Sequence, residues 1–236
     1  MKKYRDYKLT YEHLSSYGLA AFKNAEQLLR ESRLLIDNSY FARAYFLSTA
    51  SIEEVGKAFI AYEAKTRNLS DPGIVAKIKA NFEDHSAKLT SAFIPWTNRS
   101  KNLKEAVIAA VDLMTALKFG REKSMYVDVN EVDDSVSEPN KQIREIAARD
   151  SVKVAENCFH HTKEYCEKNN FTCKSTYEDK LFCIRSSNHT KMMSTIDFWK
   201  YYIHELEKGE TDHAKIAVSY HDSYFKKGKL FNESNG

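Results

Sequence analysis

Apolar residues recur at helical spacing from the N-terminal part of the chain onward. Thr10 is a suitable N-cap, and the three- and four-residue rhythm of one helix face follows it in Leu14, Ala21, Ala25, Leu28 and Leu35. This pattern predicts a first helix over residues 11–37. Asp37-Asn38-Ser39 interrupts it, and Ser39 can cap a second helix over residues 40–66. Because the turn is so short, the two helices are expected to be antiparallel neighbours.

The same pattern, with Pro and Gly as boundary residues, predicts five more helices. They span approximately residues 72–95, 103–119, 139–169, 195–208 and 212–227. Pro95 is expected to end the third helix and Gly120 the fourth. Between the fourth and fifth helices, residues 126–129 are predicted to be extended and the acidic segment up to Glu138 to be a loop.

Composition favours an all-α fold. The 236 residues include only 7 Gly and 3 Pro, too few for the many turns of a sandwich or barrel. The longest apolar run is Ala106–Val111, so no membrane span is expected, and the charged N-terminal segment does not look like a signal peptide. We therefore expect a cytoplasmic protein that folds as an antiparallel helical bundle.

Charge gives a weak indication of a nucleic-acid partner. The net charge is +3, and residues 99–123 hold 6 basic and 3 acidic residues, whereas residues 128–138 hold 5 acidic residues and no basic one. This polarity can mark a polyanion site beside an acidic loop. It can also be no more than two solvated faces.

The four cysteines Cys158, Cys166, Cys173 and Cys183 lie in the last third of the chain without a Cys-x-x-Cys pair. We expect free thiols. A zinc site that uses Cys158, His160, His161 and Cys166 is the alternative, but its spacing matches no usual structural zinc motif. Gly-rich phosphate loops and the Glu-x-x-His pairs of di-iron bundles are also missing, so no metal and no cofactor is expected.

One carboxylate of the second helix falls on an apolar face. On a helical wheel, Glu54 lies in the middle of an arc formed by Leu47, Ala50, Ala58 and Ala61. Glu53 lies nearer to the rim. A buried carboxylate costs several kcal/mol unless it is paired. Either Glu54 forms a purely structural ion pair with Lys57 or Arg43, or it orients a cation that binds phosphate or takes part in catalysis.

Two further groups of polar residues are candidates for chemistry. His85 shares an apolar face of the predicted third helix with Val75, Ile78, Phe82 and Leu89, and Lys88 lies at the edge of that face. An imidazole beside a cation suits phosphate chemistry, although a histidine on an apolar face is often only a core residue. Arg121 and Tyr126 follow the predicted end of the fourth helix, where an ordinary basic loop is the simpler interpretation.

Several blocks of sequence together resemble the AbiV family of bacterial abortive-infection proteins, a branch of the HEPN superfamily. The most specific block is Ile52-Glu53-Glu54-Val55-Gly56-Lys57. Weaker blocks in the same order are Asn24–Leu29, Tyr40–Leu47, His85-x-x-Lys88 and Arg121-x-x-x-x-Tyr126-Val127-Asp128. The likeness covers about residues 10–168. It implies a HEPN-like bundle over residues 1–169, with residues 170–236 as a C-terminal helical extension packed on the same core.

The resemblance also implies a function. AbiV-type proteins stop phage growth at the cost of the infected cell, and many HEPN proteins are homodimeric ribonucleases that need no metal. The HEPN ribonuclease motif is Arg, four to six residues, then His. Here Tyr126 stands at the position of that histidine, so His85 is left to supply the imidazole chemistry.

The resemblance therefore implies a toxin that cleaves RNA, possibly ribosomal or transfer RNA, after a phage-encoded activator protein binds. A DNA partner is not expected. The expected catalytic residues are His85, Arg121, Tyr126 and Glu54. The expected phosphate-binding residues are Lys57, Lys88, Lys123 and Arg43. Residues 170–236 are rich in Tyr and Phe, and these rings either recognise the trigger or complete a core. The alternatives are a non-catalytic module that binds RNA or the ribosome, and an adaptor that binds a phage protein.

Overall fold

The computed structural model describes residues 7–129, 134–169 and 172–231. The described residues within Met1–Lys65 and Ile78–Phe171 form one compact unit, the first unit. Those within Thr66–Lys77 and Thr172–Gly236 form the second unit. Residues 66–77 therefore group with the C-terminal part of the chain, whereas the sequence placed them in the bundle.

The described chain is helical apart from one short hairpin, which confirms the all-α prediction. Its helices are α1 (Tyr11–Asp37), α2 (Phe41–Ala64), α3 (Pro72–Glu83), α4 (His85–Thr97), α5 (Leu103–Lys123), α6 (Pro139–Gln142), α7 (Glu145–Lys168), α8 (Thr176–Cys183), α9 (Ser186–Met193), α10 (Ile196–Glu207) and α11 (His213–Ser223). A 3₁₀ turn follows at Phe225–Lys227. Strands β1 (Asp128–Val129) and β2 (Val136–Ser137) pair antiparallel, with Val129 opposite Val136.

Helix α1 begins and ends where the sequence predicts. The hydroxyl of Thr10 accepts a hydrogen bond from the backbone N–H of His13 at 3.2 Å and so caps the helix. The buried face of α1 consists of Leu14, Ala21, Ala25, Leu29, Ser32 and Ile36. It is therefore displaced by about one position from the predicted face toward its C-terminal end. The short alanine side chains let α2 pack closely along it.

Helix α2 is the centre of the first unit. It packs against α1, α4, α5 and α7, and most of its residues are buried, among them Ile52, Val55 and Phe59. A helix that is covered on every side has no single apolar stripe. The wheel analysis of α2, which assumes one buried face, therefore cannot identify the inward side of its polar residues.

Two glycines let neighbouring helices approach α2 closely. A Cβ atom at Gly56 would lie 1.9 Å from the carbonyl oxygen of Lys88, so α4 crosses α2 in backbone contact at this position. A Cβ atom at Gly120 of α5 would lie 2.3 Å from the hydroxyl of Tyr45 on α2. That hydroxyl donates a hydrogen bond to the carbonyl of Ala116 at 3.0 Å, and burial raises the pKa of Tyr45 to about 12.

Four predicted helix boundaries are wrong. The predicted third helix divides at Asp84, whose carboxylate caps α4 by accepting from the N–H of Ala87 at 2.7 Å. Pro95 lies inside α4, where a missing N–H costs little because the helix ends two residues later. Gly120 is interior to α5, since its missing Cβ serves packing and not termination. The predicted fifth helix divides where residues 143 and 144 are extended.

The second unit has its own aromatic core. Phe198, Tyr201 and Tyr220 are buried together with Met192, Ile216, Ala217 and Phe231. The buried carboxylate of Asp197 accepts hydrogen bonds from the hydroxyl of Tyr220 at 2.8 Å and from the N–H of Phe231 at 2.9 Å. These three rings therefore complete a core, as the simpler interpretation of the C-terminal aromatic residues required. The sequence did not predict α8 and α9, which have only 8 residues each.

Within the described ranges, no helix is both long enough and apolar enough to cross a bilayer. All four cysteines are free, and no group of three or more potential metal ligands forms among the described residues. Cys158 faces the core of the first unit, so the zinc alternative has lost its first ligand to hydrophobic packing.

The four thiols should differ sharply in reactivity. Cys173 and Cys183 are exposed, whereas Cys158 is fully buried and Cys166 is intermediate. Burial raises the pKa of Cys158 and raises that of Cys166 to about 12, so neither is a thiolate at pH 8. We expect a thiol reagent to label Cys173 and Cys183 in the native protein, and Cys158 only after unfolding. Mass spectrometry of labelled peptides measures this, and rapid native labelling of Cys158 would contradict the packing of α7.

Alanine substitutions at two helical glycines should have opposite effects. Gly56→Ala forces a methyl group into the backbone of Lys88, and overpacking of this kind lowers the free energy of unfolding by about 1–3 kcal/mol or more. At Gly18 of α1 the added Cβ would meet ordinary contacts at 3.6 and 3.7 Å, so Gly18→Ala should stabilise by about 0.5–1 kcal/mol. Urea unfolding of both variants gives the comparison. Equal effects would mean that α4 does not approach α2 as described.

Candidate functional site

A single buried carboxylate draws three basic side chains together in the first unit. Glu53 of α2 is only 6% exposed. Its Oε2 lies 2.8 Å from His85 Nδ1 and 3.0 Å from Lys88 Nζ, both of α4. Its Oε1 lies 3.1 Å from Arg121 Nε of α5. We call these four residues the Glu53 cluster.

The two oxygens of Glu53 are engaged differently. Oε2 accepts the hydrogen bond of the imidazole and pairs with the ammonium group. Oε1 accepts no hydrogen bond within the described residues, because the N–H of Arg121 is not directed at it even though Nε is close. The contact with Arg121 is therefore ionic, and this oxygen keeps the capacity to accept a further proton donor.

The two close helix contacts build the cluster. Gly56 lies one turn after Glu53 on α2 and admits the backbone of Lys88, which brings α4 beside the carboxylate. Gly120 directly precedes Arg121 and admits Tyr45, which brings the end of α5 to the same side of α2. Three helices therefore contribute one polar residue or more each. The positions of these residues are set by backbone packing and not by flexible loops.

The structure corrects the choice between the two adjacent glutamates. Glu53 is the buried one, and Glu54 is 17% exposed and accepts a hydrogen bond from Lys57 Nζ at 2.5 Å. The simpler of the two interpretations of Glu54, an ion pair with Lys57, is thus the one observed. The wheel placed the residues wrongly because α2 is buried on all sides, so that the apolar arc around Glu54 is not the side that faces α4 and α5.

The roles of His85 and Lys88 on α4 are also exchanged relative to the prediction. Lys88, expected at the surface, is buried, and His85, expected on an apolar face, has a side chain that is 55% exposed. The cause is the break at Asp84, since a new helix starts there and the predicted face across residues 75–89 does not continue. Lys88 therefore supports the carboxylate from below, while His85 reaches solvent.

The other predicted site residues lie outside the Glu53 cluster. Tyr126 and Lys123 are exposed at and beyond the end of α5, and no contact joins Tyr126 to the cluster. Arg43 is exposed and donates to the carbonyl of Met125 at 3.3 Å. Since Arg43 precedes Glu53 by ten residues, it lies about 15 Å away along α2. Arg43 and Lys123 are thus surface cations near the end of α5 and not members of the cluster.

Hydrogen bonding defines what the exposed imidazole can do. An ionised carboxylate only accepts, so His85 Nδ1 carries the proton that it shares with Glu53. This leaves Nε2 as the nitrogen that can accept or deliver a proton. A carboxylate that holds a histidine in one orientation is the usual arrangement for a general base or acid. The basic residues outnumber the single carboxylate, so the cluster also favours an anion.

Two weak signals in the sequence could have identified Glu53. It precedes Gly56 by one helical turn, and a glycine inside a helix often marks a close packing contact. Arg121 likewise follows a glycine within a helical pattern. Neither signal decides between Glu53 and Glu54 without knowledge of which helices pack against α2.

Comparison with known proteins adds one decisive observation. The family model of AbiV proteins, within the HEPN group, matches residues 13–160, which include all four residues of the Glu53 cluster. The chain belongs to the AbiV family. Membership confirms the resemblance and associates this AbiV protein with abortive-infection defence. No curated protein and no solved structure gives a significant match.

Neutralising the two glutamates of this AbiV protein should have unequal effects. Glu53→Gln leaves the buried Lys88 ammonium without its counter-charge, which should lower the free energy of unfolding by about 3–5 kcal/mol. Glu54→Gln removes a more exposed pair with Lys57 and should cost about 1 kcal/mol or less. Chemical denaturation measures both variants.

A double variant controls for the mechanism of this loss. Glu53→Gln combined with Lys88→Met removes both buried charges, so it should recover part of the stability lost in Glu53→Gln alone. If the double variant is less stable than either single variant by the sum of their effects, Glu53 and Lys88 are not coupled.

Proposed function

We propose that this protein is a metal-independent endoribonuclease that acts in abortive infection, with the Glu53 cluster as its active site. The observation that carries the proposal is the half-exposed His85, held by the buried Glu53 at 2.8 Å beside two cations. Family membership supplies the biological setting, and the cluster supplies the chemistry.

Cleavage of RNA without a metal needs a base for the ribose 2′-hydroxyl and an acid for the leaving 5′-oxygen. His85 Nε2 is suited to the first proton transfer, because Nδ1 is already committed to Glu53. Once the imidazole has taken the proton, the adjacent carboxylate stabilises its positive charge. Glu53 thus takes over the orienting role that the sequence assigned to Glu54.

The attacked phosphate gains negative charge in the transition state, and a cation near it lowers the barrier. Arg121 is the group suited to this role. Its side chain is 28% exposed, and it approaches Glu53 through Nε, which leaves the terminal nitrogens of the guanidinium for a phosphate. Lys88 is buried and is better assigned as a positioning residue. Tyr126, Lys123, Arg43 and Lys57 remain candidates for contacts with the RNA outside the cluster.

The proposed partners follow from this assignment. The substrate is RNA, ribosomal or transfer RNA included, whose cleavage stops translation in the cytoplasm of the infected cell. A phage-encoded protein activates the enzyme, and the enzyme is a homodimer, as in many HEPN proteins.

Non-catalytic RNA binding is the second candidate function. One observation favours it: a single carboxylate accounts for all three basic side chains of the cluster, so the arrangement can be stable without any substrate chemistry. In that case the exposed cations near the end of α5 hold RNA or the ribosome, and translation stops because the site is occupied.

Incubation of the purified protein with total cellular RNA in EDTA, with and without phage lysate, tests the proposal. We expect new 5′-hydroxyl ends and 2′,3′-cyclic phosphate ends. His85→Ala and Arg121→Ala should each slow cleavage by about 10²–10⁴-fold. The matched controls are His160→Ala and Arg149→Ala, which remove an exposed histidine and an exposed arginine of α7 away from the cluster.

The outcomes separate the candidates. Loss of cell killing in the two cluster variants, together with uncut RNA in the wild type, would favour binding without cleavage. Full toxicity of folded His85→Ala and Arg121→Ala would show that the cluster is structural. Protein that neither binds nor cleaves RNA would leave the adaptor that binds a phage protein.

A further inference from the structure

Helix α10 in the second unit is apolar on two opposite sides. One side carries Phe198 and Tyr201, which are buried in the aromatic core. The other side carries Ile196, Trp199, Ile203 and Leu206, which are 76%, 43%, 53% and 45% exposed. We call these four residues the α10 stripe.

The spacing of the α10 stripe is three, four and three residues. On a helix of 3.6 residues per turn these positions fall within an arc of about 80°. This is the a/d pattern of a helix that packs against another helix along its length. Isolated exposed apolar residues are common, but a continuous row of them along a helix marks an interaction surface.

Trp199 is held in place within this surface. Its indole N–H donates to the carbonyl of Met193 at 2.8 Å, and its ring packs edge-on against Phe198 with centroids 5.0 Å apart. The ring is therefore fixed by contacts within its own unit while 43% of the residue stays exposed. A rigid aromatic side chain that loses little entropy on binding is the usual anchor of an interface.

We propose that the α10 stripe pairs antiparallel with the α10 stripe of a second copy of this chain. In that arrangement Ile196 packs against Leu206 of the second copy, and Trp199 packs against Ile203 of the second copy. Each contact occurs twice about a two-fold axis near residue 201. The stripe is thus complementary to itself, as an isologous interface requires.

Charge at the edge of the stripe selects the same occupant and direction. Lys200 and Glu207 are exposed, lie one heptad apart on the same edge, and have no ion-pair partner in the described part of the chain. In an antiparallel pair, residues on this edge of the two helices face each other, so Lys200 of one copy lies opposite Glu207 of the other. A parallel pair would instead place Trp199 against Trp199 and leave both charges opposite neutral residues.

This interface lies outside the residues that match the AbiV family, and it does not depend on RNA cleavage. With only four apolar residues per copy it is small, and small interfaces give weak, concentration-dependent association. The proposed homodimer of the first unit can use a different face. The quantity to measure is therefore the association step that a change in α10 removes.

Analytical ultracentrifugation of the full chain over a wide concentration range tests the pairing. Ile203→Glu places a charge in the stripe and should weaken one association step by about 10- to 100-fold. Because Ile203 is exposed, the variant should retain its native circular dichroism and melting temperature. Leu34→Glu is the matched control, since Leu34 of α1 is 63% exposed and lies outside the stripe. It should associate as the wild type does.

A charge exchange tests the direction and remains informative if Ile203→Glu fails to fold. Lys200→Glu and Glu207→Lys should each weaken the association by a few-fold, and the double variant should restore it. Failure of the double variant to restore association would overturn the antiparallel pairing. A wild-type chain that stays monomeric throughout, or an Ile203→Glu variant that associates like the wild type, would overturn the proposal as a whole.

Discussion

Burial of the Glu53 carboxylate inside a helical bundle costs several kcal/mol unless cations and hydrogen bonds compensate for it. The surrounding helices meet this requirement with side chains that arrive from α4 and α5. Because Lys88 is itself buried, neither charge is tolerable without the other. The pair therefore fixes how α4 sits on α2, and the exposed members of the cluster take their positions from it.

Missing side chains are as important to this arrangement as the charged ones. Gly56 and Gly120 carry no Cβ at the two points where α4 and the Tyr45 side chain approach most closely. Backbone contact at these points places Lys88 and Arg121 within reach of one carboxylate. A substitution that pushes either helix outward would lengthen the ionic contacts, so stability and the geometry of the site are expected to change together.

The two units solve different problems with similar means. In the first unit a polar cluster is held by close helix packing and presents one imidazole to solvent. In the second unit a buried carboxylate, Asp197, ties Tyr220 and Phe231 into an aromatic core and leaves the α10 stripe outside. Each buried acid is satisfied by partners from other segments. The exposed residues beside them are the ones free to meet RNA or another chain.

The sequence by itself determined the helical class, the bounds of α1, the family and most members of the cluster, because periodicity, capping and local motifs are encoded within a few neighbouring residues. The choice of Glu53 over Glu54 was decided only by tertiary structure. Both residues satisfy the same local rules, and their difference arises from which helices cover α2. The exchange of His85 and Lys88 has the same origin, since the cap at Asp84 starts a new helix whose direction depends on the contact at Gly56. A helical wheel carries information about one helix, whereas burial depends on all its neighbours.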